Sequence, residues 1–298
     1  MAFKWFQRGL AALGLIGAAS CTTPTPAPQA PRPALWKVAD ADTTVYLFGT
    51  IHLLPRDASW ESPALQDAIA RSQALYVETI VDPQQPEVLR NELLKLGFTN
   101  GLPPIVDRVA PDKRPLLQAA IAKTGQPPSV FDKLETWAAA FILLGPQFQS
   151  LGLAGQEGVE AVLRSDFTSA GKPIGELESN VEQLRIFDSL PESAQRALLE
   201  GAIAPSAEFR QQFDSMLAAW LRGDLDAIAR SFNEDLASTP ELRDAMIRRR
   251  NANWARWVER RLATPGSVMV AVGAGHLAGD YSVQQLLEKD GVKVTRIQ

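Results

Sequence analysis

One pattern occurs twice in this chain, once near each end, and it limits the folds open to the whole: strand, Gly-x-x-His, helix, strand. Near the start, Thr43 to Phe48 (TTVYLF) has the β-branched and aromatic composition of a buried strand and runs directly into Gly49-Thr50-Ile51-His52. Beyond Trp60, Ser62 to Ser72 places Leu65, Ala68 and Ile69 on one helical face with Pro63 in the first turn. Ala74 to Ile80 then returns as a strand carrying Glu78 near its end. Near the other terminus, Ser267 to Val272 (SVMVAV), Gly273-Ala274-Gly275-His276, Val283 to Lys289 and Val292 to Ile297 repeat the order. A glycine at a strand end permits a sharp turn, so a histidine three residues on projects from the turn and not into the sheet. The expected fold is α/β, with a central sheet built from two related β-α-β half-units. Both histidines then reach the edge where strands end, which is where open α/β sheets collect ligands.

Between the half-units, about Pro86 to Ala263, lies a long mainly helical insertion. Apolar residues recur at helical spacing in Phe131 to Leu144, Val181 to Leu190, Phe209 to Leu221 and Met246 to Leu262. Lys172 to Glu178 interrupts it and reads as a third strand that runs into a helix N-cap at Ser179-Asn180-Val181-Glu182, delivering Glu178 near the strand's carboxyl end.

His52 and His276 are the only histidines among 298 residues, and Cys21 is the only cysteine, which excludes both a cysteine-based zinc site and an internal disulfide. Two neutral imidazoles with one or two carboxylates suit a divalent Zn, Mn or Fe, and such an ion lowers the pKa of a bound water toward neutrality. Glu78 is the first choice of carboxylate and Glu178 the second, one as ligand and the other as general base. Arg250 and Asn251 end the basic run Arg248-Arg249-Arg250-Asn251. Arg248 and Arg249 read as a solvated helix face, and Arg250 as a group for an oxyanion or a substrate carboxylate. Trp254 and Trp257, three residues apart, fit core packing.

Residues 1–20 have the form of a secretory signal: Lys4 and Arg8, an apolar Gly9 to Ala19 too short to span a bilayer, then small residues ahead of Cys21. Ala18-Ala19-Ser20-Cys21 resembles a bacterial lipobox, which implies lipidation at Cys21 and a membrane anchor. Thr22 rather than Asp after the cysteine resembles an outer-membrane sorting signal, with the body facing the periplasm. Thr22 to Ala34 holds five prolines and little that can pack, so 21–34 reads as a tether and 35–298 as the folded domain. The net charge of −4 becomes −6 once Lys4 and Arg8 are removed, and no basic stripe appears, which argues against a nucleic-acid partner.

Taken in order, Tyr46 to Leu54 around the first Gly-x-x-His, Glu78, Leu177-Glu178-Ser179 with Gln183, Arg250-Asn251, and Val272 to Leu277 resemble the TraB/GumN family, relatives of the Tiki-like metalloproteases. The resemblance covers nearly the whole mature chain. It implies a metal-assisted peptidase or related hydrolase with His52, His276 and Glu78 at the metal, Arg250 in support, Gly49, Gly273 and Asn251 as motif residues, and a peptide or protein substrate. Two positions depart from the family's pattern: Ser282 stands where a glycine is usual, and Glu160 where an aspartate is commoner. The similar ChaN-like lipoproteins imply an alternative, a non-catalytic lipoprotein that binds haem, iron or a peptide.

Overall fold

Strand-forming residues lie in six short segments: Leu35–Ala39 (β1), Thr43–Thr50 (β2), Ala74–Val77 (β3), Ile174–Glu176 (β4), Gly266–Gly273 (β5) and Val294–Arg296 (β6). In the computed structural model, which describes residues 30–55, 58–81, 84–150, 158–237 and 239–298, they form one sheet in the order β4-β3-β5-β2-β1-β6. The strands from β4 to β2 are parallel; β1 is antiparallel to β2, and β6 to β1. The expected signal segment, Cys21 and most of the expected tether lie outside the described residues.

The two half-units are present, and they interleave. β5 sits between β2 and β3, while β2 and β1 sit between β5 and β6, so neither helical crossover joins neighbouring strands. The longest ladder is the parallel one between the halves, from Thr43 opposite Gly266 to Thr50 opposite Gly273. Strand alternation sorts the side chains onto two faces. Tyr46, Phe48, Met269 and Ala271 share one cluster with Leu65 and Ala68 of the Pro63–Arg71 helix and with Val159, Leu163 and Phe167. Val45, Leu47, Val268 and Val270 share the other with Trp254 and Val258 and with Val283 and Leu287 of the Val283–Lys289 helix.

The helix after the first turn begins where Ser62 and Pro63 place it: the Ser62 hydroxyl accepts from the Leu65 amide at 3.1 Å, and proline occupies the first turn. Around the third strand, Ser179 and Glu182 form a reciprocal capping box on the Asn180–Asp188 helix. Within the insertion, the expected helix from Phe131 starts later, at Thr136, and runs to Ser150. Leu134 forms an antiparallel bridge with Phe98, and the Glu135 amide donates to Gly97 O at 2.7 Å, so this stretch is held extended before the helix can begin. The insertion has its own core, with Trp137, Phe131, Leu143 and Phe187 among its buried members.

Packing reaches upstream of Leu35. The Arg32 amide donates to Leu221 O and the Gln298 side chain to Pro33 O, each at 2.7 Å, and Ala34 is buried. Among the described residues no helix is long and apolar enough to cross a membrane.

Candidate functional site

Because Thr50 lies opposite Gly273, both Gly-x-x-His turns leave the sheet at the same edge. β3 pairs with the other side of β5, so Glu78, the residue after β3, reaches the same place, and the Gly273 amide donates to its Oε1 at 2.7 Å. Gly273 has φ near −49°, which any residue adopts; what demands glycine is proximity. A Cβ there would stand 3.2 Å from Glu78 Oε1, 3.6 Å from His276 Cδ2 and 3.9 Å from His52 Nε2. The three side chains singled out as metal ligands thus converge on one glycine.

Arg250 completes the floor. It is buried, with Nη2 donating to Glu78 Oε2 at 2.5 Å and Nε to Glu178 Oε1 at 2.9 Å, while Nη1 lies 3.1 Å from His276 Nε2. Nη2 also bonds to Glu178. Trp254 backs the arrangement, its ring under the guanidinium at 4.7 Å and against the His276 ring at 4.5 Å. A five-residue π-helical turn, Asp244–Arg248, precedes the Arg249–Leu262 helix and sets the rotation at which Arg250 enters the site.

Each imidazole is held through Nδ1. The Asn251 amide nitrogen donates to His276 O at 3.1 Å and to Tyr281 O at 2.7 Å, which leaves its oxygen facing His276 Nδ1 at 2.6 Å. The proton of His276 therefore sits on Nδ1, and its Nε2 lone pair accepts from Arg250. His52 Nδ1 lies 2.7 Å from Glu160 Oε1, and Glu160 also accepts from the Thr50 hydroxyl. The Val159–Ser169 helix that carries Glu160 docks on the turn itself: the Val159 amide donates to Ile51 O at 3.0 Å, and a Cβ on Gly158 would fall 1.9 Å from His52 O. Only glycine allows this approach.

The motif order, the paired turns and the whole-length architecture coincide with a match of residues 34–296 to the TraB/PrgY/gumN family. The chain belongs to that family. It is similar to the uncharacterized protein YbaP of Escherichia coli strain K12, 26% identical over 248 residues that cover 81% of this chain and 87% of the relative. The YbaP of Shigella flexneri is 27% identical over the same coverage. No solved structure matches the chain.

In this TraB/PrgY/gumN chain the buried charges settle as a group. Burial alone would raise Glu78, but the His276 and Arg250 side chains, His52 and the Gly273 amide hold it down to about 2. Burial holds His276 down to about 3, with Arg250 opposing protonation and Glu78 favouring it, in keeping with a ring that accepts from a guanidinium. For His52, desolvation acts downward, yet Glu160 by charge and hydrogen bond, with Glu78 behind it, raises the ring to about 9. Burial keeps Glu178 above the ordinary carboxylate range despite its bonds to Arg250 and Gln183.

The two carboxylates singled out in the sequence take different places. Glu78 lines the cavity that opens beside the histidines, whereas Glu178 lies on the far side of Arg250, lines a separate recess and orients the guanidinium. Arg248 pairs with Asp244 and is exposed, a solvated face as expected. Trp254 is core, and it also supports His276 and Arg250. Sequence reasoning missed the partnership of Glu160 with His52; its only trace was the Gly158-Val159-Glu160 run, noted as a departure from the family's usual aspartate. Gln183 bridges Glu78 and Glu178, with its amide nitrogen 3.3 Å from each.

Proposed function

We propose that this protein is a metal-dependent hydrolase of peptide bonds, with His52 Nε2, His276 Nε2 and Glu78 as the groups that would hold a divalent Zn, Mn or Fe. The observation that carries this reading is the common tethering of the two rings. Each Nδ1 is fixed by an oxygen acceptor, Glu160 or Asn251, the arrangement by which metal-ligating histidines are oriented. Glu78 and Glu178 pair with Arg250 and Glu160 pairs with His52, so three carboxylates face one guanidinium and one imidazole, and an ion would take the place of the proton on His52 Nε2. Among the described residues the donors converge without enclosing a common point, and His276 Nε2 is engaged by Arg250. Donor chemistry and ring orientation fit an ion; closure needs Arg250 Nη1 to take another acceptor.

When bound, the ion would supply a water acidified toward neutral pH and a polarising charge for the substrate carbonyl. Glu78, anionic at neutral pH and facing the same spot, serves either as ligand to the ion or as acceptor of the proton from the attacking water. Arg250 Nη1, which lines the cavity, is the donor for the negative charge that develops on the carbonyl oxygen. Glu178 and Gln183 hold Arg250 and Glu78 in register.

The contact between Arg250 and His276 Nε2 is the observation that favours the second reading, a lipoprotein that binds haem, iron or a peptide without turnover. Elemental mass spectrometry after metal loading and desalting separates the two. Near-stoichiometric metal in the wild type, lost when His52→Ala and His276→Ala are combined, together with cleavage of a peptide library that Glu78→Gln abolishes, supports the hydrolase. Absence of metal from the loaded wild type overturns it, and a Soret band on titration with haem would move the assignment to the binder.

A further inference from the structure

Two cavities meet at the candidate site. The larger, about 510 Å³, lies beneath the helical insertion, and the smaller, about 280 Å³, lies against the Val159–Ser169 helix. His52, Glu78 and Gln183 line both. A molecule that filled the two would cross the site and not end at it.

Their walls differ. Apart from the site's own residues, the larger cavity is walled by uncharged apolar side chains from separate helices, among them Phe141, Phe187, Leu198, Met216, Leu242 and Met246. The smaller one presents Thr79, Glu160 and Arg164. Glu160 is engaged by His52 and Thr50, and Arg164 donates through Nη1 to Val81 O at 2.7 Å. Among the described residues the larger cavity offers no carboxylate or guanidinium beyond Glu78 and Arg250, which pair with each other, so its apolar end has no clamp for a free chain terminus.

Resting on the hydrolase reading above, we infer that the substrate is an extended polypeptide that continues on both sides of the bond broken, with bulky uncharged side chains seated in the cavity under the insertion. The water oxygen joins the carbonyl carbon, the carbon–nitrogen bond breaks, and the proton released by the water passes to the departing amine nitrogen. The products are an N-terminal fragment that ends in a new carboxylate and a C-terminal fragment that begins with a new amine. An ionised side chain in the large cavity would lose its hydration with no partner in that wall.

The test uses the full chain in detergent, loaded with Zn²⁺ or Mn²⁺. The probes are fluorescein-labelled peptides, blocked or free at their ends, with a central Leu-Phe-Leu or Asp-Ser-Asp. Anisotropy is expected to show the apolar peptide binding at least about tenfold more tightly, since an unpaired ion is costly to bury. Blocking both ends is expected to leave that affinity within about twofold. Leu198→Arg and, independently, Met216→Arg should remove the preference while circular dichroism and metal content stay at wild-type values.

Equal binding of the two sequences, persistence of the preference in both folded variants, or a requirement for a free end overturns the inference. So does tighter binding of a dodecanoyl amide than of the apolar peptide, which would make the occupant a lipid chain. The preference without any metal uptake would leave the groove standing and remove the hydrolase reading. Metal uptake with cleavage but no preference would do the reverse.

Discussion

Among the described residues two arginines are buried, one in the insertion and one at the sheet edge, and their partners differ in kind. Arg108 spends its donors on main-chain carbonyls: Nε to Pro103 at 2.8 Å, Nη1 to Leu134 at 2.5 Å and Nη2 to Asp132 at 2.9 Å. Arg250 spends its donors chiefly on the titratable side chains of Glu78, Glu178 and His276, with one longer bond to Met246 O at 3.4 Å. The first arrangement is neutral on the acceptor side and pins two loop segments, at Pro103 and at Asp132 to Leu134, where helices cannot supply the bonds. The second is a charged cluster with a cavity on one side. Burial of a cation therefore says little about its role, whereas the chemistry of its acceptors says a great deal.

The comparison is sharpest when each arginine is removed in turn. Arg250→Met should cost about 3–5 kcal/mol in chemical denaturation, because it strands two buried carboxylates, and should abolish hydrolysis. Arg108→Met should cost about 2–4 kcal/mol through unsatisfied carbonyls, with turnover per folded molecule unchanged. Equal loss of turnover in the two variants would erase the distinction between scaffold and site.

A smaller effect is expected at Glu160, which holds His52. Glu160→Gln should weaken metal binding by about 10–100-fold, the usual consequence of losing an acceptor behind a ligating histidine. In the metal-free chain, NMR titration of His52 should show its pKa fall from about 9 toward 6.5 in this variant. A His52 titration that ignores Glu160→Gln would remove the pairing from the argument.

Acid and alkali should separate the two histidines. The folded pKa of His276 lies near 3 against an ordinary 6.5, so the unfolded chain binds more protons between those values and stability declines as pH falls from about 6.5 to 3. Glu78, held at about 2 against 4.5, adds stability that is lost as pH drops through that lower window. His52 acts on the other limb: its folded pKa of about 9 contributes stability that is complete below 6.5 and lost as pH rises through 9. Urea midpoints of the metal-free chain should therefore peak near pH 6.5, and His52→Ala should flatten only the alkaline side. Near that peak, His52→Asn should remove the charged contact with Glu160 that linkage places there in full, yet cost only about 1 kcal/mol or less, because the His52 side chain is 68% exposed and water screens the pair. A large loss of stability there would make the first turn a folding element.

Much of the site's raw material was readable along the chain. Ser62 with Pro63 marked a helix start, Ser179 with Glu182 marked another, and two strand-end glycines placed histidines three residues on. These signals are local, each complete within about five residues. The role of Glu178 was not readable in that way. A glutamate at a strand end has the same local appearance whether it faces a cavity or sits behind Arg250, and Glu178 and Arg250 are 72 residues apart. Glu160 was harder still, since nothing around it distinguishes a surface glutamate from one that holds His52 across 108 residues of chain.

By itself, then, the sequence determined the α/β class, the two Gly-x-x-His turns, their strands and the carboxylate that follows β3, because period, composition and turn chemistry act between near neighbours. The tertiary structure alone decided that β5 would lie between β2 and β3, which brings Gly273 within reach of both histidines and Glu78. It alone roofed that edge with apolar side chains from the insertion. Strand order and helix docking depend on how whole faces bury one another, and that energy is summed over the fold and written in no single segment.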